Sequence, residues 1–433
     1  MILRRRLSET LHVETESILK HSGLIHRGLE TLPTLKYGIA GAFGNKRWTS
    51  ELIFATYEQA TTGKPPTSLQ YKVGNSGGGF DRLHFKDLGT GNRAREFDLS
   101  IDLNRRASGP KISIPIPVYG AGMSFGSISL NFMLARAIAA KRLGTFTSTG
   151  EGGYPPPLFE YKDNVITQVA TGMFGVREDT IQAARIVEFK YAQGAKPGLG
   201  GHLLADKVTS EVANMRESIP FTSLYSPFPF HSVYSVEDHK KHVDWIRAVN
   251  PHCLVSVKVS TPVDVDMVAI GSYYANANIL HIDGGYGGTG AAPEIAKKNI
   301  AMPIEYAIPR VHRYLVSEGV RDDIIVIASG GIRTAYDVAK AIALGADGCV
   351  IGSAEAVAVG CTQCGNCERG RGCQVGITTT DPELSQFITP EWGAQRLVNL
   401  YSSWSEQWRT ILGSLGLSSI RELRGRTDLL TYG

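Results

Sequence analysis

Eight times between residues 114 and 354 the chain sets a short β-branched or apolar run, closed by glycine or small polar residues, against a segment patterned as a helix. The runs are IPVYGAGM ending at Met123, TFTSTG ending at Gly150, IVEFKYAQG ending at Gly194, FTSLYS ending at Ser226, LVSVKVS ending at Ser260, ILHIDGG ending at Gly285, IIVIASGG ending at Gly331 and GCVIGSA ending at Ala354. Such an alternation over roughly 250 residues predicts an α/β fold of the (β/α)8 TIM-barrel type, whose chemistry stands at the C-terminal ends of its strands. A doubly wound sheet is the competing arrangement. It ranks lower because no G-x-G-x-x-G fingerprint follows the first run.

At 433 residues and 42% hydrophobic content, the chain can bury one large core with appendages. We divide it into an N-terminal extension packed on the barrel (1–110), the barrel (111–360), a cysteine loop (361–382) and C-terminal helices (383–433). The extension is polar and irregular, with a Gly74-Asn75-Ser76 turn and a Gly77-Gly78-Gly79 run. A net charge of +4, from 45 basic and 41 acidic residues, is too slight to point to nucleic acid, and Arg4-Arg5-Arg6 reads as a solvated terminus. No apolar run is long enough to cross a bilayer and no signal-peptide core follows the basic start, so the expectation is a soluble, cytoplasmic protein with no membrane partner.

Residues 324–382 carry two features side by side. Ser329-Gly330-Gly331-Ile332 follows the seventh run and Gly352-Ser353 the eighth, so two sets of backbone amides face one point, with a helix starting near Thr334 aiming its positive end there. This is the usual phosphate position of a barrel; plain tight turns are the bland alternative. Directly afterwards come Cys361, Cys364, Cys367 and Cys373, spaced C-x2-C-x2-C-x5-C. Thiolates at these intervals can wrap one iron–sulfur cluster, with tetrahedral structural zinc as the rival. Cys253 and Cys349 fall in apolar runs and read as core. A phosphate cradle beside clustered thiols points to a flavin next to a metal centre.

Several motifs, each weak alone, occur in one order: Gly122-Met123-Ser124-Phe125-Gly126-Ser127, Thr149-Gly150-Glu151-Gly152-Gly153, Ala192-Gln193-Gly194-Ala195-Lys196-Pro197-Gly198, Tyr234-Ser235-Val236-Glu237-Asp238, Gly287-Gly288-Thr289-Gly290-Ala291-Ala292-Pro293 and Gly425-Arg426-Thr427-Asp428-Leu429-Leu430. Over residues 110–430 the chain thereby resembles the FMN-binding synthase domain of the glutamate synthase family, here as a stand-alone chain. The resemblance implies a TIM barrel in which Lys196 and Arg216 hold the carboxylates of 2-oxoglutarate, with Gln193 beside them. It places Glu151 near where ammonia meets the substrate, as a proton shuttle or as an acceptor for the surrounding glycine amides. One of Lys190 and Lys258 is expected at the N1/O2 edge of reduced FMN. Met123, Ser124 and Gly126 are expected to offer backbone to the isoalloxazine ring, and Asp283, Gly284 and Gly285 to line the same mouth. Asp283-Gly284-Gly285-Tyr286 stands where α-hydroxy acid oxidases, another FMN barrel family, carry His-Gly-Gly-Arg, which argues against their chemistry.

The implied reaction condenses ammonia with 2-oxoglutarate to 2-iminoglutarate, which hydride from FMN N5 reduces to L-glutamate. Departures from the family pattern shape the partners. The chain begins Met1-Ile2 with no cysteine before Cys253, so ammonia is expected from solution or from a separate glutaminase subunit. Without a dinucleotide fingerprint, electrons are expected from ferredoxin or an NAD(P)H-dependent reductase subunit. The family's C-x5-C-x4-C motif binds a 3Fe-4S cluster; here Cys364 is extra and Cys373 lies one residue later, so ligand count favours 4Fe-4S. Two other readings stay open: an FMN and iron–sulfur oxidoreductase acting on another 2-oxo acid or an amine, and a non-catalytic electron-relay subunit.

Overall fold

The computed structural model describes residues 44–67, 71, 74, 79–86, 96–290, 292, 295–297 and 299–433. Residues 4–6 and 75–78, the arginine terminus and most of the predicted glycine turn, lie outside them. Helix α1 (Ser50–Thr62) precedes the main domain, which runs β1 (Val118–Gly120), α2 (Leu130–Leu143), β2 (Thr147–Glu151), β3 (Val165–Val169), α3 (Glu178–Ala183), β4 (Ile186–Lys190), α4 (Ser210–Arg216), α5 (Val236–Val249) and β5 (Leu254–Ser260). It continues through α6 (Val265–Tyr274), β6 (Ile279–Asp283), α7 (Ile304–Ser317), β7 (Ile325–Ser329), α8 (Ala335–Leu344), β8 (Gly348–Ile351), α9 (Ser353–Ala358) and α10 (Pro390–Ser414).

The eight strands form one parallel sheet in sequence order, with β8 paired to β1. The remaining seam, β1 to β2, is closed by the Gly120 amide donating to the Phe146 carbonyl at 2.9 Å and by a parallel bridge between Gly122 and Ser148. Closure removes both sheet edges and leaves a barrel with helices outside. Every residue of β5, β6 and β7 is buried, because the outer face packs on helices while the inner face fills the barrel. Helix α10 covers α2 and α1, burying Trp404 and Trp408, and the Trp408 indole N–H donates to the Ala335 carbonyl at 2.9 Å.

One of the eight expected runs is corrected. FTSLYS is no barrel strand: only Leu224–Tyr225 is extended, antiparallel to His202–Leu203 in the long excursion between β4 and β5. Its aromatic residues have no core to enter, Phe221 being 68% and Tyr225 69% exposed. The true third strand is VITQV, which joins β2 to β4. Thr167 and Gln168 dilute its apolar signature, yet both are buried because Gln168 faces the polar interior of the barrel.

At the opposite end from the expected site, Asp347 ties three segments together. Its carboxylate accepts from Arg321 Nη2 at 2.9 Å and from the Val326 amide at 2.8 Å, and it also pairs with Arg424 and Arg105. Burial would raise this carboxyl, but Arg321, Arg105 and Arg424 outweigh it and bring it down to about 2. The unfolded value is about 4. Since the folded value is the lower, the stabilisation is fully present above about pH 4 and lost as pH falls through about 2. Asp347→Ala leaves the buried Arg321 guanidinium without its carboxylate and is expected to cost about 3–5 kcal/mol. Urea unfolding at pH 7 and at pH 3 reads this, the gap between wild type and variant narrowing at the lower pH.

Candidate functional site

The C-terminal ends of the strands gather most of the expected site residues. Period-two alternation places Glu188 and Lys190 of β4 on the inner face, and likewise Ser256 and Lys258 of β5 and His281 and Asp283 of β6. At the mouth, Lys190 Nζ lies 3.1 Å from Glu151 Oε1. Gly201 packs directly against this carboxylate: a Cβ there would fall 1.5 Å from Glu151 Oε1.

Around Glu151 stand three cations. Burial alone would raise its carboxyl, but Lys190, then Lys196 and Arg216, hold it below the usual carboxylate range. Burial pushes the Lys196 ammonium down to about 8, with repulsion from Lys190 adding and attraction to Glu151 opposing. Burial likewise lowers Arg216 to about 10 against the pull of Glu151. Arg216 ends α4, which Thr209 caps, and so projects its guanidinium inward. Its Nη2 donates to Ser124 Oγ and to the Phe125 carbonyl, both at 3.0 Å, which anchors the loop after β1. Its Nε is buried and makes no hydrogen bond among the described residues. Gln193 sits on the Lys196 loop, its carbonyl accepting from the Lys196 amide at 3.2 Å.

Lys258 belongs to a second group. Its Nζ lies 3.5 Å from Asp283 Oδ2, which also accepts from the Gly194 amide at 2.9 Å. Ser329 Oγ donates to Asp283 Oδ1 at 2.5 Å and so turns into the barrel. Burial would raise Asp283, but Lys258 and then His281 keep it below the usual range. The two lysines therefore separate: Lys190 stands with Glu151, Lys196 and Arg216, Lys258 with β6 and β7.

A flavin phosphate would meet the turns after β7 and β8. Gly330 and Gly331 have φ of +87° and +120°, and a Cβ on Gly330 would fall 2.3 Å from the Gly284 carbonyl, so backbone alone fits there. Helix α8 is less available than the sequence implied. Thr334 Oγ1 caps the Asp337 amide, and Asp337 in turn accepts from the Arg333 amide and guanidinium. Helix α9 begins at Ser353 behind Gly352 with no side-chain cap. Met123, Ser124 and Gly126 lie on the loop that Arg216 anchors, and Gly284 and Gly285 on the loop after β6. Glycine turns open to a phosphate, a backbone loop and a buried lysine are the kinds of group that could hold a flavin.

The cysteine loop lies against this mouth. A Cβ on Gly290 would fall 2.5 Å from Cys367 Cβ, so the loop after β6 touches it. Buried Lys207 bridges it to the loop after β1, its Nζ donating to the Cys367 carbonyl at 2.6 Å and the Ser127 carbonyl at 3.5 Å. Burial pushes the Cys361 thiol up to about 12, with Cys367, Cys373 and Cys364 close enough to add to the effect. The Gln363 amide and side-chain nitrogen both donate to Cys361 Sγ at 3.4 Å. Among the described residues no three His, Cys, Asp or Glu side chains close on one ion. Burial raises the thiols of Cys361 and Cys367, which lie near Cys364 and Cys373, and four such sulfurs, with amide donors at one of them, are a donor set that could hold a cluster.

The sequence reading passed over Glu188, His281, Gln168 and Lys207. The first two share strand faces with Lys190 and Asp283, so i, i+2 polarity in IVEFK and ILHID was the signal.

A model of the conserved region in glutamate synthase matches residues 88–418. The archaeal-type glutamate synthase (NADPH) of Thermotoga neapolitana is 42% identical over 350 residues, 81% of this chain and 67% of that protein. The archaeal glutamate synthase (NADPH) of Methanocaldococcus jannaschii is 44% identical over 322 residues, covering 74% and 63%. The glutamate synthase (NADPH) large chain of Azospirillum brasilense is 38% identical over 317 residues, 71% of this chain and 21% of that one. The chain thus spans about two thirds of the length of these archaeal-type relatives. Among solved structures, the flavin-binding domain of baker's yeast flavocytochrome b2 superposes with a TM-score of 0.54 at 14% identity, covering 99% of this chain and 90% of that one. That likeness shows a shared barrel fold.

Proposed function

This chain belongs to the glutamate synthase family, and on that premise we propose that it carries out the reductive amination of 2-oxoglutarate with ammonia to L-glutamate at the barrel mouth. One observation carries the reading: Lys190, Lys196 and Arg216 surround the single carboxylate of Glu151, and the buried Arg216 Nε has no partner among the described residues. Three positive charges against one negative leave an excess that a dicarboxylate neutralises, and guanidinium is the best fork for a carboxylate. No helix among the described residues is long and apolar enough to cross a membrane.

In this reading Lys196 and Arg216 each take one carboxylate of 2-oxoglutarate, and Gln193 orients the keto group beside them. Ammonia adds to the keto carbon, and Glu151, kept ionised by its three cations, passes protons from the added nitrogen to the keto oxygen. The keto oxygen leaves as water, giving 2-iminoglutarate, while Lys190 holds Glu151 in place. Lys258, the backbone around Met123 and Gly126, and the turns Gly330-Gly331 and Gly352-Ser353 would hold FMN, and Cys361, Cys364, Cys367 and Cys373 an iron–sulfur cluster; bound, these groups supply hydride and single-electron transfer respectively. Fixing the imine against the flavin face gives the rate by orientation. Ferredoxin or an NAD(P)H-dependent reductase subunit is the electron donor, and a glutaminase subunit is a further source of ammonia.

Steady-state turnover tests the reading. Purified, reconstituted protein is expected to oxidise a reduced donor only when ammonia and 2-oxoglutarate are both present, with glutamate as product. Donor oxidation indifferent to 2-oxoglutarate would contradict it.

A further inference from the structure

Beneath the mouth, a buried chain of hydrogen bonds crosses the barrel from β3 to β7. Gln168 Nε2 donates to Glu188 Oε1 at 2.7 Å, and Ser256 Oγ donates to Glu188 Oε2 at 2.9 Å. His281 Nδ1 lies 2.9 Å from the same Glu188 Oε2, and its Nε2 lies 2.7 Å from Ser329 Oγ. Gln168, Glu188, Ser256, His281, Asp283 and Ser329 are all at least nine-tenths buried. A buried polar network of this kind persists only where its donors and acceptors match.

Counting hydrogens assigns the ring. The Ser329 hydroxyl has one proton, and it points at the Asp283 carboxylate at 2.5 Å. Toward His281 Nε2, Ser329 therefore offers only a lone pair. Glu188 Oε2 offers only lone pairs to Nδ1. A neutral ring carries one N–H and would leave its other nitrogen facing an oxygen lone pair in a buried interior, which costs free energy.

We propose that His281 is a positioning residue: donating from both ring nitrogens, it joins Glu188 to the Ser329–Asp283 pair and so holds Lys258 and the Gly194 loop in register across the mouth. Two acids, Glu188 and Asp283, then face two cations, His281 and Lys258, and the group is neutral as a whole. Asp283 is the junction. One oxygen is fixed through Ser329 to His281, while the other holds the Lys258 ammonium and the Gly194 amide, the latter on the loop bearing Gln193 and Lys196. Lys258 and the loop that carries Gln193 and Lys196 thus share one support.

The positioning role rests on the flavin reading above, and the test separates the two. In ring-15N histidine spectra of the full chain, His281→Gln identifies the His281 signals by their loss. Two nitrogens with nearly equal, N–H-type shifts are expected at neutral pH; one pyridine-like nitrogen overturns the assignment. In a second arm, FMN affinity is measured for wild type, His281→Gln and Ser329→Ala by quenching of flavin fluorescence. Both variants are expected to weaken FMN about tenfold or more, equal to about 1.4 kcal/mol, and to shift the flavin absorption band. Ser329→Ala removes a single oxygen and serves if His281→Gln does not fold. Wild-type affinity and spectrum in the folded variants would overturn the positioning role. A wild-type chain that takes up no FMN would sink the flavin reading, while the ring nitrogens still decide the assignment.

Discussion

Lys196→Ala is expected to lower kcat/KM for 2-oxoglutarate by roughly a thousandfold while leaving FMN affinity unchanged. The lysine is 3% exposed and stands in a site with an excess of positive charge. Removing one partner of a buried charged contact costs about 3–5 kcal/mol, and about 4 kcal/mol corresponds to that factor. Arg216→Leu goes further, because the guanidinium also anchors Ser124 and the Phe125 carbonyl. It is expected to weaken FMN as well, so the two variants separate clamp from loop. Lys196 also sets a pH limit. Its ammonium loses its proton at about 8 in the free protein, so kcat/KM for 2-oxoglutarate is expected to fall above that pH and to hold below it. Intact activity of a complex reconstituted with Lys196→Ala and its partner subunits would favour a non-catalytic electron-relay subunit.

The second large effect is expected at the cysteine loop. Cys367→Ala is expected to abolish stoichiometric iron and acid-labile sulfide, and with them electron entry from a one-electron donor, while FMN still binds. The separation follows from placement: the turns proposed for the FMN phosphate follow β7 and β8, whereas Cys367 lies on a separate loop packed against Lys207 and Gly290. Cys364 distinguishes the cluster types. With four thiolate ligands, Cys364→Ala converts a 4Fe-4S centre to 3Fe-4S, visible in the oxidised EPR spectrum. A wild-type protein already showing the oxidised three-iron signal would leave Cys364 outside the ligand set. Zinc without sulfide would remove the cluster from the account.

Much of this architecture was legible because barrel strands carry two signals at once, an apolar run and a glycine-rich end. Seven of the eight expected runs are strands of the closed sheet. The eighth failed for a physical reason. FTSLYS is as apolar as a strand, but its aromatics face solvent in an excursion, whereas VITQV looks polar because Gln168 serves an interior network. The i, i+2 polarity of IVEFK and ILHID marks Glu188 and His281 as inward, but local patterning does not reveal which inward residues meet across a barrel. Lys196 and Arg216 were legible only through family resemblance. Twenty residues separate them in sequence, and helix α4 brings Arg216 back to the Glu151 neighbourhood. The cysteine spacing was plain, whereas the buried lysine behind it, in LLADKV, had no local signature at all.

Single-turnover reoxidation tests the central claim most directly. Protein loaded with FMN and cluster is reduced anaerobically and mixed with ammonia, with 2-oxoglutarate, or with both, while flavin absorbance and glutamate are followed. The account predicts that only the complete mixture reoxidises the flavin, with one glutamate formed per flavin reoxidised. Reoxidation by 2-oxoglutarate without ammonia, or by both without glutamate, would contradict it.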